Sequence, residues 1–184
     1  MTTASATEPG RHRRRRRGFL ANENGATAVE FGLVAAPFIA LLVAIIQSFM
    51  VLFASQLLET VVTQSSRQIL TGQAQAANLS QSGFASLVCQ QVTILFNCSK
   101  LMIDVEVQAS FSAANTGSPV LSYDGQGNVT NTWQYNPGGP GQIVVVKVMY
   151  LWPVFLGPLG FTLSNQPNNT RLIMASAAFQ NEPL

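Results

Sequence analysis

Few residues in this chain are equipped for chemistry. Its one histidine, His12, stands inside an arginine tract, RHRRRRR at 11 to 17, and its only cysteines are Cys89 and Cys98. A Ser-His-Asp triad or a His/Cys metal centre needs several such side chains converging, and beyond the tract that set cannot be assembled. The acids after Gly25 are Glu30, Glu59, Asp104, Glu106, Asp124 and Glu182, and no motif or spacing joins two of them as general acid and base. No catalytic residue, cofactor, metal or small-molecule substrate is expected. One acid still needs a physical account. In ENGATAVEF, residues 23 to 31, Glu30 stands at the head of a long apolar run.

The composition points to a membrane. The chain has 184 residues, 47% of them hydrophobic and 10% charged, against roughly 25% charged in soluble domains. Its net charge of +2 is unevenly placed: Arg11 and Arg13 to Arg17 supply six of the ten Lys and Arg, while beyond Gly25 four basic residues face six acidic ones. From Phe31 to Leu58 there is no charge, and FGLVAAPFIALLVAIIQSFMVLF at 31 to 53 is apolar on every side. As a helix this stretch is about 33 Å long, enough to cross a hydrocarbon core of roughly 30 Å. A cleaved secretory signal has a shorter apolar core and a small-x-small site, which Phe53-Ala54-Ser55-Gln56 does not supply.

Arginines just before the span place the N-terminus in the cytoplasm by the positive-inside rule. Everything after Ser55 is then expected on the far side. Clustered arginines also attract nucleic-acid phosphates, but no aromatic residues interleave with these, so the tract reads as topogenic and no nucleic acid is expected.

The ordinary account of Glu30 is a cap: Thr27-Ala28-Val29-Glu30 has the T-x-x-E form of a capping box, with the carboxylate facing the positive end of the helix dipole. A cap does not explain Gly25 immediately before Ala26, nor the order of glycine, four small or apolar residues, Glu and an aromatic ring. That order resembles the cleavage region of type IV prepilins. GATAVEFGLVAAPFIALL is similar, more narrowly, to the TadE-like family of minor pilins or pseudopilins of the tight-adherence (Flp) pilus. Flp-type sequences often carry tyrosine after this glutamate; Phe31 keeps the ring and loses the hydroxyl.

The resemblance implies processing by a membrane prepilin peptidase between Gly25 and Ala26, removing the arginine tail and freeing an amine on Ala26. It also implies an assembly role for Glu30 and Phe31, with the carboxylate meeting the new amine of a neighbouring subunit. The own-chain amine lies one helical turn from Glu30, so spacing leaves open which amine it meets. Expected partners are the peptidase, other pilins and pilus-assembly membrane proteins. The expected location is the bacterial inner membrane with the C-terminal domain periplasmic, or a pilus used in cell adhesion. An uncleaved, single-pass periplasmic scaffold or binding protein of the same system is the alternative.

Beyond the span, Leu57-Leu58, Val61-Val62 and Ile69-Leu70 continue a helical rhythm to a stop near Thr71-Gly72. GQAQAANLSQSG then reads as a flexible polar bridge, and Phe84, Leu87, Val88, Val92 and Leu95 as the apolar face of a second helix. Strands are expected in LMIDVEVQASF at 101 to 111, which alternates to give one dry face, in QIVVVKVMYLW at 142 to 152, a covered central strand, and in TRLIMASAAF at 170 to 179. The fold class is therefore α+β: a long transmembrane and amphipathic helix, then a small pilin-like domain with about three antiparallel strands and one or two helices. The expected division is a basic leader at 1–25, a transmembrane helix at 26–55 and the domain at 56–184.

Two connections remain. Residues 115 to 141 are rich in Gly, Asn, Ser, Thr and Pro but lack the lysine and following helix of a phosphate loop, so they form a surface loop. Trp133 and Tyr135 either pin that loop to the sheet or meet a partner. The connection from Trp152 to Phe161 is apolar, the mark of a partner or membrane surface. Tyr150-x-Trp152-Pro153, Gly157-Pro158-Leu159 and the tail Phe179 to Pro183 also resemble TadE-like proteins.

Cys89 and Cys98 fall outside the cytoplasm, where a disulfide is permitted. In one helix they would stand about 13 Å apart, too far for a bridge. Pairing therefore requires a chain reversal, which Asn97 and Ser99 make credible; the alternative is a buried thiol at Cys89 and a free one at Cys98.

Overall fold

The computed structural model describes residues 25–155 and 160–183. The arginine tract, His12 and the Gly157-Pro158-Leu159 turn lie outside the described residues. Two compact units are distinguished, one up to Ile39 and one from Ala40 onward, and each is described by itself.

Helix α1 covers Ala26–Leu70 and contains Pro37. Its residues are mostly Ala, Leu, Val, Ile and Phe, and hydrocarbon offers their backbone no competing partner. Thr27 is the second residue of α1 and not the residue before it. A capping box needs its threonine in a non-helical conformation ahead of the first turn, so the T-x-x-E reading does not describe this helix start. In the first unit, Val29, Phe31, Leu33, Val34, Phe38 and Ile39 are exposed.

In the second unit α1 gains a buried stripe. Val51, Ala54, Leu58, Val61, Val62, Ser65, Ser66 and Ile69 are buried, spaced by three or four residues as one helix face requires. Gln56, Glu59, Thr60, Thr63, Gln64 and Arg67 are exposed. Four hydroxyls are satisfied within the helix: Ser48, Ser55, Thr60 and Thr63 donate to the carbonyls of Ala44, Val51, Gln56 and Glu59 at 2.8–2.9 Å. α1 stops where Gly72 turns left-handed (φ 74°), its N–H reaching the carbonyl of Ile69 at 3.1 Å.

The segment read as a flexible bridge is ordered into a short helix, α2 (Gln73–Ala76), followed by Ser80, whose side chain accepts from Gly83 N–H and caps α3 (Gln81–Val92). Alanines 74, 76 and 77 favour helix, and Ala74 is buried. Gln75 Nε2 fixes the segment by donating to the carbonyls of Ile69 (3.1 Å) and Pro137 (2.9 Å). From α3, Phe84, Val88 and Val92 enter the core.

Three antiparallel strands follow: β1 (Met102–Gln108), β2 (Ile143–Pro153) and β3 (Thr170–Gln180), with β2 central. Register aligns Val105 with Val146 and Val146 with Ala177. Ile103, Val105, Val144, Val146, Val148, Tyr150, Ile173 and Ala175 form one core with the α1 stripe and α3. The architecture is α+β, a long apolar helix followed by a small antiparallel sheet and a few helices.

The second face of the sheet is drier than alternation in β1 suggests. Val145 and Met149 are buried there, as are the cross-strand neighbours Asp104 (7% exposed) and Lys147 (8%). The long β1–β2 connection bonds to that face: Gln134 N–H donates to Asp104 Oδ1 at 3.0 Å, and Ser176 Oγ to Thr116 O at 3.3 Å. It also protects the free edge of β1, because Val105 N–H donates to Gln134 O and Asn136 N–H to Val105 O, at 2.9 and 2.8 Å. Tyr135 packs on Phe84 with ring centroids 5.9 Å apart, and burial pushes its phenol pKa up. Tyr135 thus pins the loop. A tight hairpin within the connection is held by Asp124, which accepts from Asn128 Nδ2 and from the amides of Gln126 and Asn128. Those bonds, the Asn128 side chain foremost, lower its carboxyl pKa.

The C-terminal tail closes the fold. Buried Asn181 donates through Nδ2 to Pro137 O (2.9 Å) and Gly139 O (3.1 Å), and Glu182 N–H reaches Leu70 O at 2.9 Å. Leu70 O is one of the carbonyls that a helix C-terminus leaves without an intrahelical donor.

Because Leu58 is wholly buried at the centre of the stripe, Leu58→Ala is expected to cost about 2–5 kcal/mol. Exposed Leu52 serves as the control: in detergent micelles Leu52→Ala should leave the near-UV circular-dichroism melt of the folded unit almost unchanged while Leu58→Ala lowers its midpoint.

Candidate functional site

The first turns of α1 carry the residues singled out for processing and pairing. Gly25 is exposed, a Cβ built on it meets nothing within 4 Å, and its φ is not left-handed. Neither packing nor backbone conformation at this position calls for glycine. Ala26 opens the helix. Glu30 and Phe31 are both exposed, Phe31 at 74%, so the carboxylate and the ring are open to whatever surrounds the helix.

The rest of the belt is uncovered too. In the first unit no large apolar residue between Val29 and Ile39 is buried, and in the second Leu41, Leu42, Ile45, Ile46, Phe49, Leu52 and Phe53 remain exposed. The helix is long and apolar enough to cross a membrane. Pro37 has no N–H, so the carbonyl of Leu33 loses its helical donor. The belt's available chemistry is contact: lipid chains or other helices can cover it, with one acid near its start.

Cys89 and Cys98 are the pair brought together. α3 stops at Val92, the chain turns through Thr93 to Leu95, and Cys98 begins a short 3-10 turn capped by Asn97, whose Oδ1 accepts from Ser99 N–H at 3.1 Å. The reversal brings the two Cα atoms to 5.5 Å, and a disulfide joins them. Phe96 lies between them in sequence and is buried, with its ring 5.0 Å from Tyr150 and 5.7 Å from Trp152. The bond thereby fastens the last turn of α3 to the segment that leads into β1.

Sequence reasoning found the amphipathic part of the stripe, Leu58, Val61, Val62 and Ile69, but did not carry that face back to Val51 and Ala54, nor find the Gln75–Asn181 clasp. Val51 belongs both to the apolar run and to the buried stripe, and an all-apolar stretch hides periodicity. The clasp joins an amide after the α1 stop to one at the chain's end, a pairing that local pattern does not encode.

Residues 25–67 match the family model described as TadE-like protein. No curated protein and no solved structure matches the chain. The matched segment starts at Gly25 and stops three residues short of the end of α1, so it bears on the helix and its leading glycine and leaves the sheet untouched. It agrees with a membrane protein related to the Tad pilus.

With the cysteines bridged, the native protein should take up no thiol-alkylating reagent until it is reduced, as read by intact mass. Opening a loop of this length is expected to cost about 2.5 kcal/mol by loop-closure entropy, so the double variant C89S/C98S should unfold at lower denaturant than the parent.

Proposed function

We propose that this chain is a minor pilin or pseudopilin of a tight-adherence pilus, cut after Gly25 by a prepilin peptidase and assembled through α1 with other pilins. The observation that carries the reading is that the TadE-like match begins at a glycine for which the fold has no use. Support also comes from the composition of the helix that follows, a bare apolar belt with Glu30 near its start.

The mechanism is a change of surroundings for one helix. Before processing, the arginine tract holds the N-terminus on the cytoplasmic side while the belt lies in lipid. Cleavage removes the tract and leaves a cationic amine on Ala26. A carboxylate within hydrocarbon costs on the order of 2.5–3.5 kcal/mol at the centre and less near an edge, and an incoming subunit's amine offsets that cost. Helices then exchange lipid for one another, with Glu30 setting their axial register and Phe31 filling the adjoining contact. The domain at 56–184 travels with the helix and is periplasmic before assembly.

Substitution of Gly25 by a bulkier residue should leave the arginine tail attached in host cells, detected as a heavier mature chain by intact mass. An identical mature mass in parent and variant would defeat the processing claim, and Met1 through Gly25 retained on the parent would identify an uncleaved membrane-anchored scaffold instead. Glu30→Gln should insert and be cut normally yet assemble poorly; pili in normal number, counted by electron microscopy, would remove Glu30 from the assembly step.

A further inference from the structure

Within the second unit, α1 is accompanied along part of its apolar run by the β2–β3 connection. Ile46, Met50 and Val51 of α1 face Trp152, Val154 and Phe155 across an apolar groove. On the adjacent helix stripe Phe161 lines a second, open groove with Ile45, Phe49 and Leu52. The contact is therefore made well before α1 becomes polar. Exposed side chains of the helix are apolar through Leu52 and Phe53 and turn polar at Gln56, Glu59 and Thr60. At 1.5 Å per residue, Ile46 lies about 10 Å below Phe53 along the axis.

We propose that the described ends of the β2–β3 connection form a second membrane-seated element, with Val154, Phe155 and Phe161 lodged in the outer part of the lipid leaflet that surrounds α1. This rests on α1 spanning the bilayer. Phe155 is 75% exposed and Phe161 39%, two rings facing outward at a level where the helix's exposed side chains are apolar, with half-buried Gln47 and Ser48 beside them. No charged residue occurs from Val148 to Thr170, while the other long connection carries Asp124 and many polar side chains. At the start of the connection one backbone group is provided for: Val154 N–H donates to Asn169 O at 2.8 Å, as a segment leaving water needs.

The polar margin of this surface has the chemistry of a headgroup zone. Trp152 stands opposite Arg171 in the β2–β3 register, and Arg171 Nη1 donates to Leu163 O at 3.0 Å. Indole and guanidinium groups collect where hydrocarbon meets headgroups, the ring by its mixed polarity and the cation by snorkelling. A depth of about 5–10 Å is that of elements lying in the interface without crossing it. Lipid is the occupant because the exposed rings are continuous with the helix belt. With two points of attachment, the helix and this ledge, the domain is held against the bilayer instead of swinging on α1.

The test uses the full chain in lipid nanodiscs. In the W133F variant Trp152 is the sole indole, and its emission should be lost to a large extent when the lipids carry bromine at a shallow acyl position. A photo-cross-linking residue at position 155, in native membranes, should yield lipid adducts. Unchanged Trp152 emission in a chain that resists carbonate extraction would overturn the ledge while leaving the spanning helix intact. So would an adduct from position 155 to a second copy or to another protein. A chain extracted by carbonate would sink the spanning reading itself, and the ledge with it.

Discussion

The structure depends on a change of solvent along α1. Fifteen large apolar side chains between Val29 and Phe53 are exposed among the described residues. At roughly 1.5–3 kcal/mol for each such side chain left in water, their combined penalty exceeds the 5–15 kcal/mol by which an ordinary domain is stable. No rearrangement of the folded unit could absorb that. The belt must be covered by lipid or by other helices. Past Phe53 the requirement reverses: one face carries Leu58, Val61, Val62 and Ile69 into a protein core while Glu59, Thr63 and Arg67 meet water. A single helix therefore carries two unrelated patterns, all-round apolar and then one-sided.

The head of the molecule is closed by contacts distant in sequence, and that has a functional bearing. Asn181 and Gln75 meet at the carbonyl of Pro137, and Glu182 satisfies the end of α1. The disulfide ties α3 to the approach to β1. With both sheet faces covered over β2 and the β1 edge partly occupied by Gln134 and Asn136, less unpaired backbone is left at the β1 edge to bind non-specifically to other chains. A domain secured in this way keeps its own packing when the surroundings of its helix change, which is what the proposed passage from a bilayer to a helix bundle demands.

How much of this could be read from sequence varies by element, for physical reasons. The strands were legible because Leu101, Ile103, Val105 and Val107 alternate with polar residues and β2 is apolar almost throughout, and Gly72 marks the end of α1 because a left-handed residue is required there. The Cys89 and Cys98 geometry was bounded only by exclusion, since a bridge needs a reversal that sequence can permit but not place. α2 was hidden by the polarity of glutamine, which suggested linker although Ala74 is buried. The cover over Asp104 and Lys147 was hidden more deeply, because a Gly- and Asn-rich connection shields a sheet through backbone and turn geometry and not through an apolar pattern. The T-x-x-E motif misled in the opposite way: its letters fit a cap, yet nothing in them requires the helix to start after the threonine and not before it.

The acid at the head of α1 turns on a choice of partner. In the uncut chain the nitrogen of Ala26 is a peptide amide and carries no charge. Under the proposed cleavage it would become an ammonium about 6 Å along the axis from Glu30, four residues at 1.5 Å each, close enough for attraction within one helix. A carboxylate fully satisfied by its own amine would have little left to offer a neighbour and could not set register between subunits. The tilt of helix side chains toward the N-terminus favours the own amine; against it, Glu30 stands exposed, so a facing helix can bring its own amine to the same carboxylate from outside. In hydrocarbon both amines need compensation and each subunit contributes one acid, so exchange of partners between adjacent chains conserves the number of pairs while adding helix contact. In the proposed exchange register is fixed, because pairing between chains needs an axial offset that places each amine at a neighbouring acid.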